Sequence, residues 1–426
     1  MRCKNCKSKK LKKILLFGSQ PISSVFYKSK KKNLKNYPLD LFECQKCKLV
    51  QFSKLAPNDD LYGSTYGYRT SLSDLMVNHI KKKFTYLNSG KYLKKNSFIL
   101  DIGSNDGTFL NFFAKKRKDL NLFGIDPSSQ KFKEYYNKKI NLIPDYFSKR
   151  RIDEFFIEKK IKKKFDLITS FAMFYDIENP NAFAKDIFDL LDKNGLWVLE
   201  FSYFPLLLKN LTYDQICHEH VTYYTLSTFN TIAKQNGFKI IDFSFNEING
   251  GSIEVICSKK NSKHKPKVKK IETVISDEKK INEKSYFNLS QRIENTKNTL
   301  QLFLKNIKKR EIIGYGASTK GNIVLNQCGI NENHLQYICD ANPYKFGRYT
   351  PGSNIKIISK KEMRKRKPKY LLVLIWSFRT EVIKQEINFL KKGGKLIFHL
   401  PMLHIIDKNN YKKFLNKDFS SFSYHY

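Results

Sequence analysis

Between Ile216 and Thr225 the chain reads ICHEHVTYYT, which packs a thiol, two imidazoles, a carboxylate and two phenols into one short stretch. His218, Glu219 and His220 support three chemistries. An H-x-H pair can ligate a metal if a third ligand arrives from elsewhere. An imidazole with an ordinary pKa of about 6.5 can take a proton at neutral pH, with Glu219 fixing its tautomer and nearby tyrosines donating to an oxyanion. A polar loop without chemistry is the third reading. The general base is favoured, because no third metal ligand can be placed from the sequence. A second tyrosine-rich stretch, YGSTYGYRTSLSDLMVNH at 62–79, puts Tyr62, Tyr66 and Tyr68 on one extended face or turn. It reads either as ordinary amphipathic packing or as a lid whose phenols enter the active site.

Four of the eight cysteines form two C-x-x-C pairs, Cys3 with Cys6 in CKNC and Cys44 with Cys47 in CQKC. Two thiolate pairs can close a tetrahedral zinc site, and metal binding then supplies folding energy to a segment too small and too basic for a large core. Such a site is structural. Coincidental pairs and a redox pair are the alternatives. Cys217, Cys257, Cys328 and Cys339 are single and scattered. The start MRCKNCKSKK lacks an apolar signal region and the longest apolar run, YLLVLIWSF at 370–378, is too short to span a bilayer. A cytoplasmic protein with reduced cysteines is expected.

The elements that must hold these groups alternate between strand and helix. SFILDIGSNDGTFLNFFAKK (97–116) reads as strand, glycine loop and helix, and LFGIDP (122–127) as the next strand, ending at Asp126. Gly103 and Gly107 permit close approach to a ligand. An acid roughly 20 residues past the loop is placed to bind ribose hydroxyls. GSNDGT does not meet the dinucleotide spacing G-x-G-x-x-G. Asp101 inside an apolar-DIG pattern points instead to S-adenosylmethionine (SAM), with its carboxylate near the methionine amino group and Asn105 in the same loop. FDLITSFAMF (165–174) and GLWVLEFSYF (195–204) are further buried strands, so a doubly wound parallel sheet is expected, with GSIEVICSKK (251–260) as a terminal strand. A strand, glycine loop and helix recur in EIIGYGASTKGNIVLNQCG. There Gly314, Gly316 and Gly321 surround Ser318 and Lys320, an anion seat suited to a pyrophosphate.

The formal net charge is +40 on 426 residues. The excess is mostly Lys and dispersed along the chain, unlike the clustered Arg and Lys of a nucleic-acid surface. A solvated surface is expected, with a field that favours anionic substrates.

Four separated motifs now combine: CKNC…CQKC with YGYRTS, DIGSNDGTFL with GIDPS, HEHVTYYT followed by NGGSIEV, and GYGASTKGN with DANPYKFGRYTPG. Together they resemble the SAM-dependent sugar C-methyltransferases acting on keto-deoxysugar nucleotides, from Cys3 to about Pro401. The resemblance implies an α/β protein with a zinc-binding domain over 1–60 and a Rossmann-like SAM domain over 61–260, whose first part, 61–90, is the tyrosine-rich lid and helix. A linker and helix over 261–310 and a second Rossmann-like domain over 311–410 complete it. It further implies structural zinc on Cys3, Cys6, Cys44 and Cys47, and SAM on Asp101, Gly103, Asn105, Gly107 and Asp126. His220 falls on the family's base and Glu219 on its orienting or relay partner. His218 stays a second candidate, and Tyr66 or Tyr68 matches the lid phenol. Tyr224, Gly316, Ser318, Lys320 and Arg348 fall to the nucleotide-sugar substrate, expected to be dTDP-linked. No nucleic acid or membrane is implied, and the chain is expected as a monomer or homodimer. One departure stands out: Cys217 occupies the position of a family tyrosine, whose role Tyr223 could take over.

Overall fold

Phe98–Ile102, Asn121–Ile125 and Phe165–Phe171 are short, almost wholly buried strands. Strands buried on both faces read as continuous apolar runs, and helices must cover them. The computed structural model describes residues 1–61, 69–89 and 92–415, the side chains of 58 and 59 excepted.

In the central sheet Leu191–Ser202, Phe165–Phe171, Phe98–Ile102, Asn121–Ile125 and Ile140–Ile143 lie side by side and parallel. Ser252–Lys259 joins antiparallel to Leu191–Ser202, and Phe238–Asn246 pairs antiparallel with it at the edge. The sheet is therefore mixed, not the all-parallel sheet expected. The difference comes from a hairpin closed at Ile248–Gly251, where Gly250 (φ +83°) and Gly251 (φ +139°) turn the chain back. Hairpin strands must run antiparallel, whereas a helix crossover would have kept them parallel.

The C-terminal sheet runs in the order Lys356–Ser359, Tyr337–Asp340, Ile312–Tyr315, Tyr370–Val373, Lys395–Phe398, all parallel, with His404–Ile406 antiparallel at one edge. The order reverses direction beside Ile312–Tyr315. Open α/β sheets bind ligands outside the carboxyl ends of strands at such a point.

The segment expected as a linker is packed structure. Helix Val268–Glu278 buries Ile271, and Glu278 accepts from the Tyr203 hydroxyl at 2.5 Å and from the Leu226 and Ser227 amides. Helix Glu283–Lys305 starts with a capping box on Asn282, and its Tyr286 hydroxyl donates to Glu43 at 2.7 Å. Its apolar face joins one continuous core that contains Leu15 and Phe52 from the N-terminal segment, Leu207 and Tyr213 from the middle, and Val324 and Leu372 from the C-terminal sheet. At 3.6 residues per turn such a stripe buries one helix face. Here it unites the three domains.

Candidate active site

The cofactor end is built by local geometry. After Phe98–Ile102 the chain turns through Gly103 (φ +72°), Asn105 (φ +50°) and Gly107 (φ +72°) into helix Thr108–Lys116. A Cβ on Gly103 would lie 3.2 Å from Met173. Asp101, Gly103, Asn105 and Asp126 all line a cavity of about 310 Å³. Gly107 does not line it. It starts the helix and packs on the Tyr136 ring, which a Cβ there would meet at 2.7 Å, so its expected cofactor contact is corrected to a loop-shaping role. Asp101 is 4% exposed and accepts from Thr169 Oγ1 at 2.6 Å. Burial, and then the neighbouring Asp126 charge, push its carboxyl up to about 7. A buried carboxylate in that state is a seat for a cation, which fits the SAM amino group. Asp126 accepts from the Asn105 amide at 3.0 Å and from Ser128 N and Oγ at 2.6 and 2.5 Å, so the acid also fastens the glycine loop. The segment after the tyrosine-rich stretch is tied to the same loop. The Thr70 amide donates to Asn105 Oδ1 at 3.0 Å and the Ser71 amide to Asp106 at 2.9 Å. Tyr62, Tyr66 and Tyr68 lie outside the described residues.

Sequence reasoning missed the deepest charge in this cavity. Glu200, at the end of Leu191–Ser202, lines it and is 2% exposed. Its carboxylate accepts from Lys83 at 2.8 Å, His79 at 3.0 Å and Asn246 at 2.7 Å, and Lys83 also pairs with Glu254. Burial works against the charge, but Lys83 and His79 hold the carboxyl down at about 2. The five side chains come from three stretches, with His79 and Lys83 one turn apart on helix Asp74–Leu87, and these stretches lie far apart in sequence, so no single motif marks the cluster.

The reactive end is a turn gripped from three sides. The His220 amide donates to the Cys217 carbonyl at 3.0 Å, closing the turn. Beyond it Thr222 and Tyr223 pair antiparallel with Gln51 and Val50, as an edge strand of the N-terminal sheet. The two histidines diverge. His218 packs edge-on against Tyr37 of the N-terminal domain, with ring centroids 6.1 Å apart. His220 packs on Tyr175 of the central domain, with ring centroids 4.1 Å apart. The structure therefore separates the two histidines: the tight turn closed between Cys217 and His220 sends the His218 ring to Tyr37 and the His220 ring to Tyr175. Burial, and then the Lys320 charge, push His220 down to about 3, so the imidazole is neutral. Glu219 and Val221 line the same cavity as Asp101 and Asp126, together with Asp176. Tyr223 donates its hydroxyl to the same Gln215 carbonyl at 3.3 Å. Cys217 is buried, and burial raises its thiol well above the ordinary range.

The C-terminal residues divide differently from expectation. Lys320 reaches the reactive turn and donates to Asn249 Oδ1 at 2.7 Å. Ser318 is spent as the cap of helix Thr319–Gln327, accepting from the Gly321 amide at 2.9 Å. Gly316 (φ +90°) lets two strand ends meet, for a Cβ would sit 2.6 Å from Ile375. Arg348 donates to the Tyr344 carbonyl at 2.8 Å and the Phe26 carbonyl at 3.3 Å, clamping this domain to the N-terminal one. Tyr224 is fully buried, packed tilted on Phe174 at 5.0 Å and edge-on against Phe201, so the structure places it in the core instead of at the expected substrate contact. Sequence reasoning also missed Gln215, Asn249, Asp214 and Trp376, although NGG at 249–251 belongs to one of the four motifs. Trp376 Nε1 donates to Asp214 at 2.8 Å across the domain boundary.

The four N-terminal cysteines meet. All four Sγ atoms lie within 4.8 Å of one another, with Cys3 to Cys47 and Cys6 to Cys44 each at 3.5 Å. Zinc bonds of about 2.3 Å in a tetrahedron place sulfurs a little under 4 Å apart, so the set fits an all-cysteine zinc site. The two knuckles are alike: Lys7 (φ +59°) and Lys48 (φ +61°) each follow the second cysteine and donate back to the carbonyls of Cys3 and Cys44.

Three family descriptions match in succession: a zinc binding domain over 3–62, a methyltransferase domain over 78–242, and a C-methyltransferase C-terminal domain over 247–401. C-methyltransferase NovU of Streptomyces niveus is 25% identical over 374 residues, covering 87% of this chain and 88% of that protein. The chain is a SAM-dependent C-methyltransferase. Solved structures align more loosely. They include the plantazolicin methyltransferase BpumL with SAH (16% identity, 43% of this chain, 83% of that chain, TM-score 0.33). Another is magnesium protoporphyrin IX methyltransferase ChlM of Synechocystis PCC 6803 with bound SAM (13%, 44%, 82%, TM-score 0.31). This C-methyltransferase uses SAM and carries structural zinc. Among the described residues no helix is long and apolar enough to cross a membrane.

Proposed function

We propose that this C-methyltransferase acts on a nucleotide-linked 4-keto-deoxysugar, methylating C3 through an enolate, with a dTDP-linked sugar as the first substrate to try. The observation that carries the reading is His220: a neutral imidazole on the reactive turn, whose neighbours Glu219 and Val221 line the SAM cavity. A ketone acidifies the carbon beside it, because the electron pair left behind spreads onto oxygen. His220 takes that proton, and the Tyr175 ring packed on it at 4.1 Å holds the imidazole in place while it does so. Glu219, at the cavity edge, stabilises the imidazolium that forms. Asp101 receives the cofactor's ammonium group and Asp126 its ribose hydroxyls. Bound there, SAM supplies an electrophilic methyl group. The excess of positive charge favours a diphosphate-bearing substrate.

The test is solvent deuterium exchange on a dTDP-4-keto-deoxyhexose, followed by NMR at C3, for wild type and His220→Asn, with and without SAM. Exchange by wild type, methylation on adding SAM, and neither with His220→Asn would support the reading. If wild type binds SAM but leaves C3 untouched, this sugar is not the substrate. A different keto substrate would then be the better reading, and Cys217, smaller than the phenol it replaces, the place where the pocket differs.

A further inference from the structure

We infer that Lys320, carried into the reactive turn by the C-terminal domain, is the cationic group that stabilises the enolate oxygen while His220 removes the proton. The inference rests on the enolate reading above and adds to it the residue that meets the charge the enolate develops.

Three observations carry it. First, Lys320 is tied by hydrogen bonds to the turn that carries His220. The Tyr223 hydroxyl donates to the Gln215 carbonyl at 3.3 Å, the Gln215 side-chain amide donates to the Asn249 carbonyl, and the Asn249 side chain accepts from Lys320 at 2.7 Å. Asn249 sits at φ +59°, a left-handed conformation that Asn tolerates better than most residues, so its carbonyl and its side chain both serve the chain. Second, Asn249 accepts one of the three N–H donors of an ammonium, which leaves donors for a ligand. Third, the groups that feel this charge are those of the reactive turn and its surroundings: His220, Cys217, Glu219, Asp176 and Asp214. Glu219 and Asp176 also line the SAM cavity, so the charge stands beside the same space. Asp214 is turned partly away by its bond from Trp376. A lysine serving a pyrophosphate alone has no need of a link to the base.

The step balances within the substrate and the protein. The C–H bond beside the ketone breaks and its proton goes to His220. The pair from that bond forms a carbon–carbon double bond, and the carbonyl π pair moves onto oxygen. A neutral pair becomes imidazolium and enolate, and the ammonium of Lys320 meets the new negative charge. A preorganised donor of this kind is worth about 100- to 1,000-fold in rate.

The experiment compares wild type, Lys320→Met and Lys320→Arg for deuterium exchange beside the ketone, using dTDP-4-keto-deoxyhexose without SAM. Circular dichroism and SAM affinity are measured on each protein. The expected result is exchange about 100- to 1,000-fold slower in Lys320→Met, partly rescued in Lys320→Arg, with SAM affinity unchanged. A second readout separates this from a structural role. NMR titration of the His220 ring should show its pKa higher in Lys320→Met, because a neighbouring cation is gone. Exchange in a folded Lys320→Met within about threefold of wild type overturns the inference, as does an unmoved His220 titration. If wild type itself does not exchange, the enolate reading fails, and that outcome is distinct from the failure of Lys320.

Discussion

Asp101 is the residue whose chemistry follows most directly from its surroundings. Its carboxyl sits near 7 because it is buried beside Asp126. A bound ammonium favours the ionised form, so SAM binding below pH 7 must expel a proton. Affinity for SAM should therefore fall about tenfold per pH unit below 7 and level off above it. Calorimetry in buffers of different ionisation enthalpy would count the proton released, and no release at pH 6.5 would contradict the assignment. Asp101→Asn should weaken SAM binding and abolish this pH dependence together. The apolar-DIG pattern made Asp101, Gly103, Asn105 and Asp126 readable because a glycine loop is local: strand, turn and helix follow one another in sequence. The choice between His218 and His220 was not readable that way. Side chains two apart in a turn are equivalent until something packs on each of them, and here Tyr37 and Tyr175 do so.

Among the elements, the short strand Thr222–Tyr223 is the least obvious and the most consequential. It belongs to the N-terminal sheet by pairing with Val50 and Gln51, and it ends the turn that carries His220. The zinc knuckles hold that sheet, so a metal bound there would support the turn that carries His220, the proposed base. Zinc removal by a chelator, or Cys44→Ser, should abolish methylation while the glycine loop still binds SAM. Hydrogen exchange over 216–224 should rise in the same samples, and unchanged protection there would separate the metal from the turn. The domain boundary carries a second test. Trp376→Phe removes the hydrogen bond that the buried Asp214 carboxylate accepts across that boundary, at a cost of about 1–3 kcal/mol. Chemical denaturation would measure it.

At the scale of the whole molecule, buried histidines set the acid limit. Burial pushes His399 and His220 down to about 3 and His404 to about 4. Their folded pKa values lie below the unfolded value of about 6.5, so the unfolded chain binds more protons in between. Stability is complete above pH 6.5 and is lost as pH falls from there toward 3. Each such histidine adds a slope of up to about 1.4 kcal/mol per pH unit in that window. His399 is fully buried and outside the reactive turn. A His399→Gln variant should unfold with a shallower pH dependence between 6 and 4, measured by urea denaturation, and an equal slope would count against the argument.

The local chemistry was determined by sequence alone. Two C-x-x-C pairs and a glycine loop with an acid after the next strand each point to a ligand through spacing along the chain, while the motif at 218–220 by itself leaves three chemistries open. Strand and helix periodicity likewise announced two α/β sheets. What the tertiary structure decided is everything that depends on segments meeting from a distance. The pairing of Ser252–Lys259 with Leu191–Ser202, the packing of 268–305 into a shared core, the buried Glu200–Lys83 pair and the arrival of Lys320 at Asn249 all join residues far apart in sequence. Spacing encodes contacts within one turn or one loop. Contacts across domains are set by which apolar faces pack together, and a linear pattern of residue types does not carry that choice.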